Sequence, residues 1–185
     1  YAALLTDLPV TVLSLQAAGI EHDVEETGDP FRANAQLKAQ TYASWSGLWT
    51  WADDSGLEVD ALEGRPGVYS ARYGGPGLSD RDRYEKVLAE LQTIPHHLWT
   101  ARFRCVIALA TPAGDVHFIE DTVAGCITDQ PRGAHGFGYD PIFFLPAYNA
   151  TMAELSPEQK NQISHRGKAA RQAKTLLTEL LAAQG

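Results

Sequence analysis

The alternation of apolar and polar residues along the chain predicts strands and helices that follow one another. Short β-branched or apolar runs at residues 10–15, 48–52 and 139–145 each predict a strand. Two longer runs, residues 101–111 and 116–128, flank a Pro-Ala-Gly-Asp turn and predict a β-hairpin.

Polar capping residues indicate where helices begin. Asp29 followed by Pro30 predicts a helix start, because an aspartate side chain caps free backbone N–H groups and proline suits the first helical position. Ser79, with Asp82 three residues later, resembles a capping box. Strands and helices therefore alternate around one long hairpin, which predicts an α/β fold with a mixed β-sheet. The predicted helices cover residues 30–45 and 79–91, a short segment from residue 156, and residues 168–183.

Composition narrows the class of protein. The chain has 185 residues, a length that suits a single domain over residues 1–185, and a formal net charge of -8. It has no basic tail or Lys/Arg stripe, so a nucleic-acid polymer is not expected as a partner. No apolar run approaches the length of a membrane span. Cys105 and Cys126 do not suggest a disulfide framework, and we expect reduced thiols in a cytoplasmic protein.

Two adjacent carboxylates, Asp53 and Asp54, follow the apolar run at residues 48–52 and precede Gly56. At the end of a strand, such a pair typically holds a divalent metal or positions water, and Mg²⁺ prefers carboxylate oxygens together with substrate phosphates. The alternative is that both aspartates are ordinary turn residues before a glycine.

Further polar residues suggest a phosphate ligand. Glu25 offers another carboxylate for a metal, and Lys38 offers a cation. Taken alone, these residues are better explained as a solvated acidic loop and an exposed helix lysine. Arg72 follows a glycine-containing loop, and its guanidinium suits either a phosphate or a structural carboxylate.

An aromatic residue between two glycines suggests a base-binding surface. Phe137 and Tyr139 either present a face on which a base stacks or fill the core around a turn. Farther along, Lys160 and the pair His165-Arg166 add donors near Ser164, a candidate helix N-cap. Taken alone, this segment is better explained as an ordinary surface helix junction. Carboxylates, lysines, an aromatic ring and a His-Arg pair together point to a purine nucleotide with metal-bound phosphates.

At these segments the chain resembles the inosine triphosphate pyrophosphatase family. The matching segments occur in order over nearly the whole chain. They are the Glu-Glu-Thr-Gly sequence at residues 25–28 with Asn34 and Lys38, the Ala-Asp-Asp-Ser-Gly-Leu sequence at residues 52–57, and residues 66–73, 136–141 and 164–167.

The resemblance implies a long central mixed sheet flanked by helices, two lobes with the active cleft between them, and a homodimer. It implies Mg²⁺-dependent hydrolysis of ITP, dITP and XTP to the monophosphate and pyrophosphate. It also implies roles for individual residues: Glu25 and Asp54 for the metal, Asp54 for the attacking water, Ser55 for substrate, Phe137, Gly138, Tyr139 and Asp140 for the base, Lys160 for phosphate or sugar, and His165 with Arg166 for the purine edge.

One part of the family pattern lies outside the sequence. The family begins with a strand and a phosphate-binding turn of the type Thr-Gly-Asn-x-x-Lys. We expect the natural protein to carry them before Tyr1; the alternative is a version of the fold that lacks this central strand. Two rival functions stay open: a pyrophosphatase of similar fold that acts on another nucleotide, such as a modified pyrimidine, and a nucleotide-binding protein that has lost catalysis.

Overall fold

The computed structural model describes residues 2–26 and 30–183. Its five strands form one antiparallel sheet in chain order, and Cys126 of the third strand faces Phe144 of the fourth. The α/β fold with a central sheet is confirmed. The parallel pairing that a mixed sheet also needs does not occur within the described ranges. The strands are β1 Thr50–Val59, β2 Thr100–Ala110, β3 Val116–Ile127, β4 Phe143–Leu145 and β5 Ala150–Thr151.

The predicted helices are confirmed, with shifted ends. In α2 the Ser79 hydroxyl accepts the N–H of Asp82, and the Asp82 carboxylate accepts the N–H of Ser79, which completes the predicted capping box. Pro30 takes the N-cap position of α1 rather than the first helical position, and Asp29 lies outside the described residues. The helices are α1 Phe31–Ser46, α2 Asp80–Leu91, α3 Pro157–Ile163 and α4 His165–Ala182.

The strand predicted at residues 10–15 is wrong. This segment has no regular secondary structure, and its apolar side chains Val12, Leu13 and Leu15 are exposed. An apolar run forms a strand only when a neighbouring strand pairs with its backbone, and no such neighbour occurs within the described part of the chain.

The first strand of the sheet is longer than predicted. It continues from Thr50 through both aspartates to Val59, so Asp53 and Asp54 do not lie in a turn. The pairing of β1 with β2 satisfies the backbone there, and this tertiary pairing overrides the turn preference of aspartate and glycine.

The strand predicted at residues 139–145 forms only in its second half. Residues Asp140–Ile142 form a single 3₁₀ turn, and the strand begins at Phe143. Pro141 has no N–H to donate to a sheet, so the chain turns before it pairs.

The chain divides into two compact units, each with its own core. Unit 1 comprises Tyr1–Asp54, Cys105–Asp121 and Lys168–Gly185, and unit 2 comprises Ser55–Arg104 and Thr122–Gly167. In unit 1 the alanines of α4 pack against β2 residues such as Ile107. In unit 2 Val87 and Leu91 of α2 pack with Phe143. Both cysteines are free thiols, as expected.

Candidate functional site

In unit 1, a buried carboxylate is held by a buried amide. The alternation of β1 places the side chain of Asp54 in the interior beside that of Ala52, whereas Asp53 and Ser55 are half-buried on the other face. Asn34 in the first turn of α1 is fully buried, and its Nδ2 donates to Oδ2 of Asp54 at 2.9 Å. The carboxylate of Asp54 is therefore held both by its position in β1 and by the hydrogen bond from α1.

The two glutamates that precede α1 differ in their surroundings. Glu25 is exposed, whereas the carboxylate of Glu26 is half-buried and accepts a hydrogen bond from Nζ of Lys38. The predicted phosphate ligand Lys38 is thus part of an ion pair with Glu26. Glu26 received no role from the sequence, and its spacing from Lys38 alone does not reveal the contact.

The oxygen donors of unit 1 suit a hard divalent cation. Asp54 and the glutamates offer carboxylate oxygens, which Mg²⁺ prefers. No group of three or more His, Cys, Asp or Glu side chains that could hold a metal occurs in residues 2–26 and 30–183. Mg²⁺ in proteins is commonly held by one or two carboxylates together with substrate phosphates.

In unit 2, a second group of residues surrounds an exposed aromatic ring. Phe137 is 61% exposed, and Nζ of Lys160 lies 4.5 Å from the centroid of its ring. The guanidinium carbon of Arg166 lies 5.5 Å from the same centroid. The ring is therefore solvent-exposed, and two cations lie over it within cation–π distance.

Beneath this ring lies a buried carboxylate, that of Asp140. Its Oδ2 accepts hydrogen bonds from the backbone N–H of Phe137, at 2.9 Å, and from Nζ of Lys160. Burial raises the pKa of the Asp140 carboxyl, while the bond from Lys160 opposes the rise. The carboxylate thereby connects the loop that carries Phe137 to the helix that carries Lys160.

A glycine is required where this loop approaches Asp140. Gly136 has φ +83°, and a Cβ built there would lie 2.1 Å from Oδ2 of Asp140 and 2.9 Å from Nζ of Lys160. Any side chain at Gly136 would therefore disrupt the ion pair as well as strain the backbone.

The two residues that follow Phe137 are structural. The N–H of Gly138 donates to Oδ2 of Asp80 at 2.7 Å, which holds the loop at the start of α2. Tyr139 is buried, and its hydroxyl donates to the carbonyl of Ser70 at 2.8 Å. Burial raises the pKa of the Tyr139 phenol. Of the two aromatic residues, Phe137 is thus the exposed one and Tyr139 is buried. Asp80, which the sequence did not indicate, holds this loop.

His165 is a neutral histidine in the interior of unit 2. Its ring stacks on Phe103, with centroids 4.8 Å apart and planes inclined by 11°. Burial, with help from the positive charges of Arg166 and Lys160, lowers the pKa of His165 to about 3. Nδ1 of His165 is buried and has no hydrogen-bond partner among the described residues.

The helix that carries His165 and Arg166 begins against the preceding helix. The Ser164 hydroxyl accepts the N–H of Gly167 at 3.1 Å, as expected for an N-cap. A Cβ at Gly167 would lie 1.9 Å from the carbonyl oxygen of Asn161, so only glycine permits this approach. The cap explains why α4 begins at His165, three residues before the predicted start at Lys168.

Two further predicted residues are Arg72 and Ser55. Arg72 is exposed, and its guanidinium carbon lies 5.1 Å from the ring centroid of Tyr69. Ser55 is half-buried in β1. No helix within the described residues is long and apolar enough to cross a membrane.

Comparison with known proteins identifies the family to which this chain belongs. A sequence model of the Ham1 family matches residues 1–176. The chain belongs to the Ham1 family, which confirms the relationship expected from its motifs.

Relatives with assigned activities are similar over most of the chain. The dITP/XTP pyrophosphatase of Geobacter sulfurreducens is 51% identical over 168 residues, which cover 91% of this chain and 84% of that protein. The dITP/XTP pyrophosphatase of Bacillus subtilis is 47% identical over 166 residues, or 90% of this chain and 84% of that protein.

Solved structures share the fold. The HAM1 protein of Coxiella burnetii superposes with a TM-score of 0.91 at 43% identity, covering 96% of this chain and 90% of that one. The nucleoside-triphosphatase, or dITP/XTP pyrophosphatase, of Mycobacterium abscessus has a TM-score of 0.79 at 41% identity, covering 92% of this chain and 89% of that one.

Proposed function

We propose that the chain hydrolyses ITP, dITP and XTP to the corresponding monophosphate and pyrophosphate, an activity that removes non-standard purine nucleotides. The observation that carries the proposal is the exposed Phe137 ring with Lys160 and Arg166 beside it, in a chain whose relatives are dITP/XTP pyrophosphatases.

The purine is assigned to the group of residues in unit 2. Phe137 stacks on the base, a contact worth about 1–3 kcal/mol per base in single-strand binders. Gly138, Tyr139 and Asp140 line the base site, mainly by fixing the loop. His165 and Arg166 read the purine edge. A 6-oxygen accepts their hydrogen bonds, whereas the 6-amino group of adenine would leave buried donors unpaired.

We assign the reacting α-phosphate of the substrate to the carboxylates of Asp54 and Glu25. Asp54 orients the attacking water and accepts its proton, while the fixed geometry of its carboxylate avoids reorganisation during the reaction. Glu25 and Asp54 are the proposed ligands of Mg²⁺, which when bound neutralises phosphate charge. Lys38, Arg72 and Lys160 balance the charge of the triphosphate, and Ser55 contacts the substrate.

The test is a nucleotide panel with separate detection of pyrophosphate and orthophosphate. ITP, dITP and XTP should release pyrophosphate in the presence of Mg²⁺, and ATP much less. Asp54→Asn keeps the shape of the side chain and should lower turnover by about 10²–10³-fold. Orthophosphate as the first product would refute attack at the α-phosphorus, and preferred turnover of a modified pyrimidine would favour the rival substrate class.

We also propose a homodimer in the cytoplasm, on the family resemblance alone. Light scattering at micromolar concentration should give twice the mass of the chain, and a monomer mass would refute the dimer.

A further inference from the structure

The contact between Asn34 and Asp54 assigns a role to a residue that is neither a metal ligand nor a phosphate ligand in the proposed function. Asn34 is fully buried although it carries a polar amide, and such a group is retained only where its hydrogen bonds are made. One of those bonds goes to Oδ2 of Asp54 at 2.9 Å. Asp54 belongs to β1, so this bond joins α1 to the strand that carries the proposed general base of the reaction.

The kind of donor matters for a carboxylate that must act on water. A lysine or arginine at this position would neutralise the charge of Asp54 and weaken it as a base and as a metal ligand. A neutral amide leaves the charge in place. Because Oδ2 accepts a buried hydrogen bond, the carboxylate group of Asp54 cannot rotate about its Cβ–Cγ bond without breaking that bond.

We propose that Asn34 is a positioning residue that fixes the carboxylate plane of Asp54 for catalysis. The inference rests on the proposed role of Asp54. It predicts a loss of turnover without a loss of nucleotide affinity, because the bond from Asn34 orients the side chain proposed to act on the attacking water. A misplacement of about 1 Å of a reacting group lowers a rate by about 10²-fold.

The test compares Asn34→Ala with Gln36→Ala. Both changes delete a side-chain amide from α1, but the amide of Gln36 bonds at 3.2 Å to Gln40, on the exposed side of the helix. For Asn34→Ala, kcat for dITP should fall by about 10–100-fold, while calorimetry with a non-hydrolysable dITP analogue should give a Kd within about threefold of the parent value. The control variant should keep both values.

A double-mutant cycle separates positioning from a merely structural role. In an Asp54→Asn background, adding Asn34→Ala should change the residual rate by less than about threefold, since residues that act as a unit are not additive. A folded Asn34→Ala enzyme with normal kcat, a Kd that rises while kcat stays constant, or a full additional loss in the double variant would each overturn the inference.

Two further arms keep the result interpretable. If Asn34→Ala does not fold by circular dichroism and gel filtration, Asn34→Ser, which keeps a shorter donor, replaces it with the same expected split between kcat and Kd. Near-normal turnover of Asp54→Asn would refute the proposed role of Asp54 itself. An inactive Asp54→Asn beside a fully active Asn34→Ala would refute only the positioning role.

Discussion

Lys160 donates a hydrogen bond to the buried carboxylate of Asp140. The same ammonium lies 4.5 Å from the Phe137 ring centroid, so one cation serves both the buried acid and the exposed ring. The pair links α3 to the loop before β4, and its disruption should affect both stability and nucleotide binding.

Lys160→Met should lower the free energy of unfolding by about 1–3 kcal/mol, because it leaves the buried carboxylate of Asp140 without its charged donor. It should also raise the KM for dITP. Urea denaturation and steady-state kinetics measure the two effects. Arg81→Met is the control, since the ion pair of Arg81 with Glu85 is exposed and should contribute little. Equal stability losses in both variants would contradict the prediction.

Two glycines of the same loop provide a matched pair. Gly136→Ala should strongly reduce nucleotide binding, because its Cβ would collide with Oδ2 of Asp140. Gly138→Ala has a similar positive φ, +62°, but its Cβ would meet no atom within 4 Å. Its cost should be limited to backbone strain of about 1–2 kcal/mol. Calorimetry with a non-hydrolysable dITP analogue compares the two variants. Indistinguishable Kd values would contradict the prediction, because they would show that the protein relieves the clash between the Cβ at residue 136 and Asp140.

Arg166 tests whether the His-Arg pair reads the base or the phosphates. Because its guanidinium lies beside Phe137, Arg166→Ala should lower kcat/KM for ITP far more than for ATP. The preference should shrink by about 1–3 kcal/mol, the scale of one lost buried hydrogen bond. A parallel loss for both nucleotides would place Arg166 at the phosphate end.

His165 should make stability depend on pH. Its pKa of about 3 in the folded protein lies below the value near 6.5 in the unfolded chain. The unfolded state therefore binds an extra proton between these values, and stability falls as the pH falls from about 6.5 towards 3. This proton contributes at most about 1.4 kcal/mol per pH unit. In His165→Phe the decline between pH 6 and 5 should be smaller by about that amount, and an unchanged slope in urea denaturation would contradict the prediction.

The two neighbouring glutamates can be separated by their metal dependence. Glu25→Gln should raise the Mg²⁺ concentration needed for half-maximal activity, because it removes a proposed ligand. Glu26→Gln instead breaks the ion pair with Lys38 and should chiefly alter the KM for the nucleotide. If excess Mg²⁺ rescues Glu26→Gln and not Glu25→Gln, the ligand assignment moves by one residue.

The sequence by itself determined the features that depend on local chemistry and on the order of motifs. The capping box at Ser79, the hairpin formed by β2 and β3, the α/β fold and the family relationship were all predicted from it. Caps and tight turns are formed by residues close in the chain, so the sequence predicts them without knowledge of the tertiary structure.

Only the tertiary structure decided which polar groups meet. Pairing with β2 placed Asp54 within a strand, and α1 brought Asn34 to it across an interval of twenty residues. Likewise, Lys160 of α3 donates to Asp140, which lies twenty residues earlier in the chain. Residues 10–15 have an apolar pattern, but within the described chain no strand pairs with them. Such contacts depend on side chains distant in sequence, and a periodic pattern records which residues are buried but not which partner each one meets.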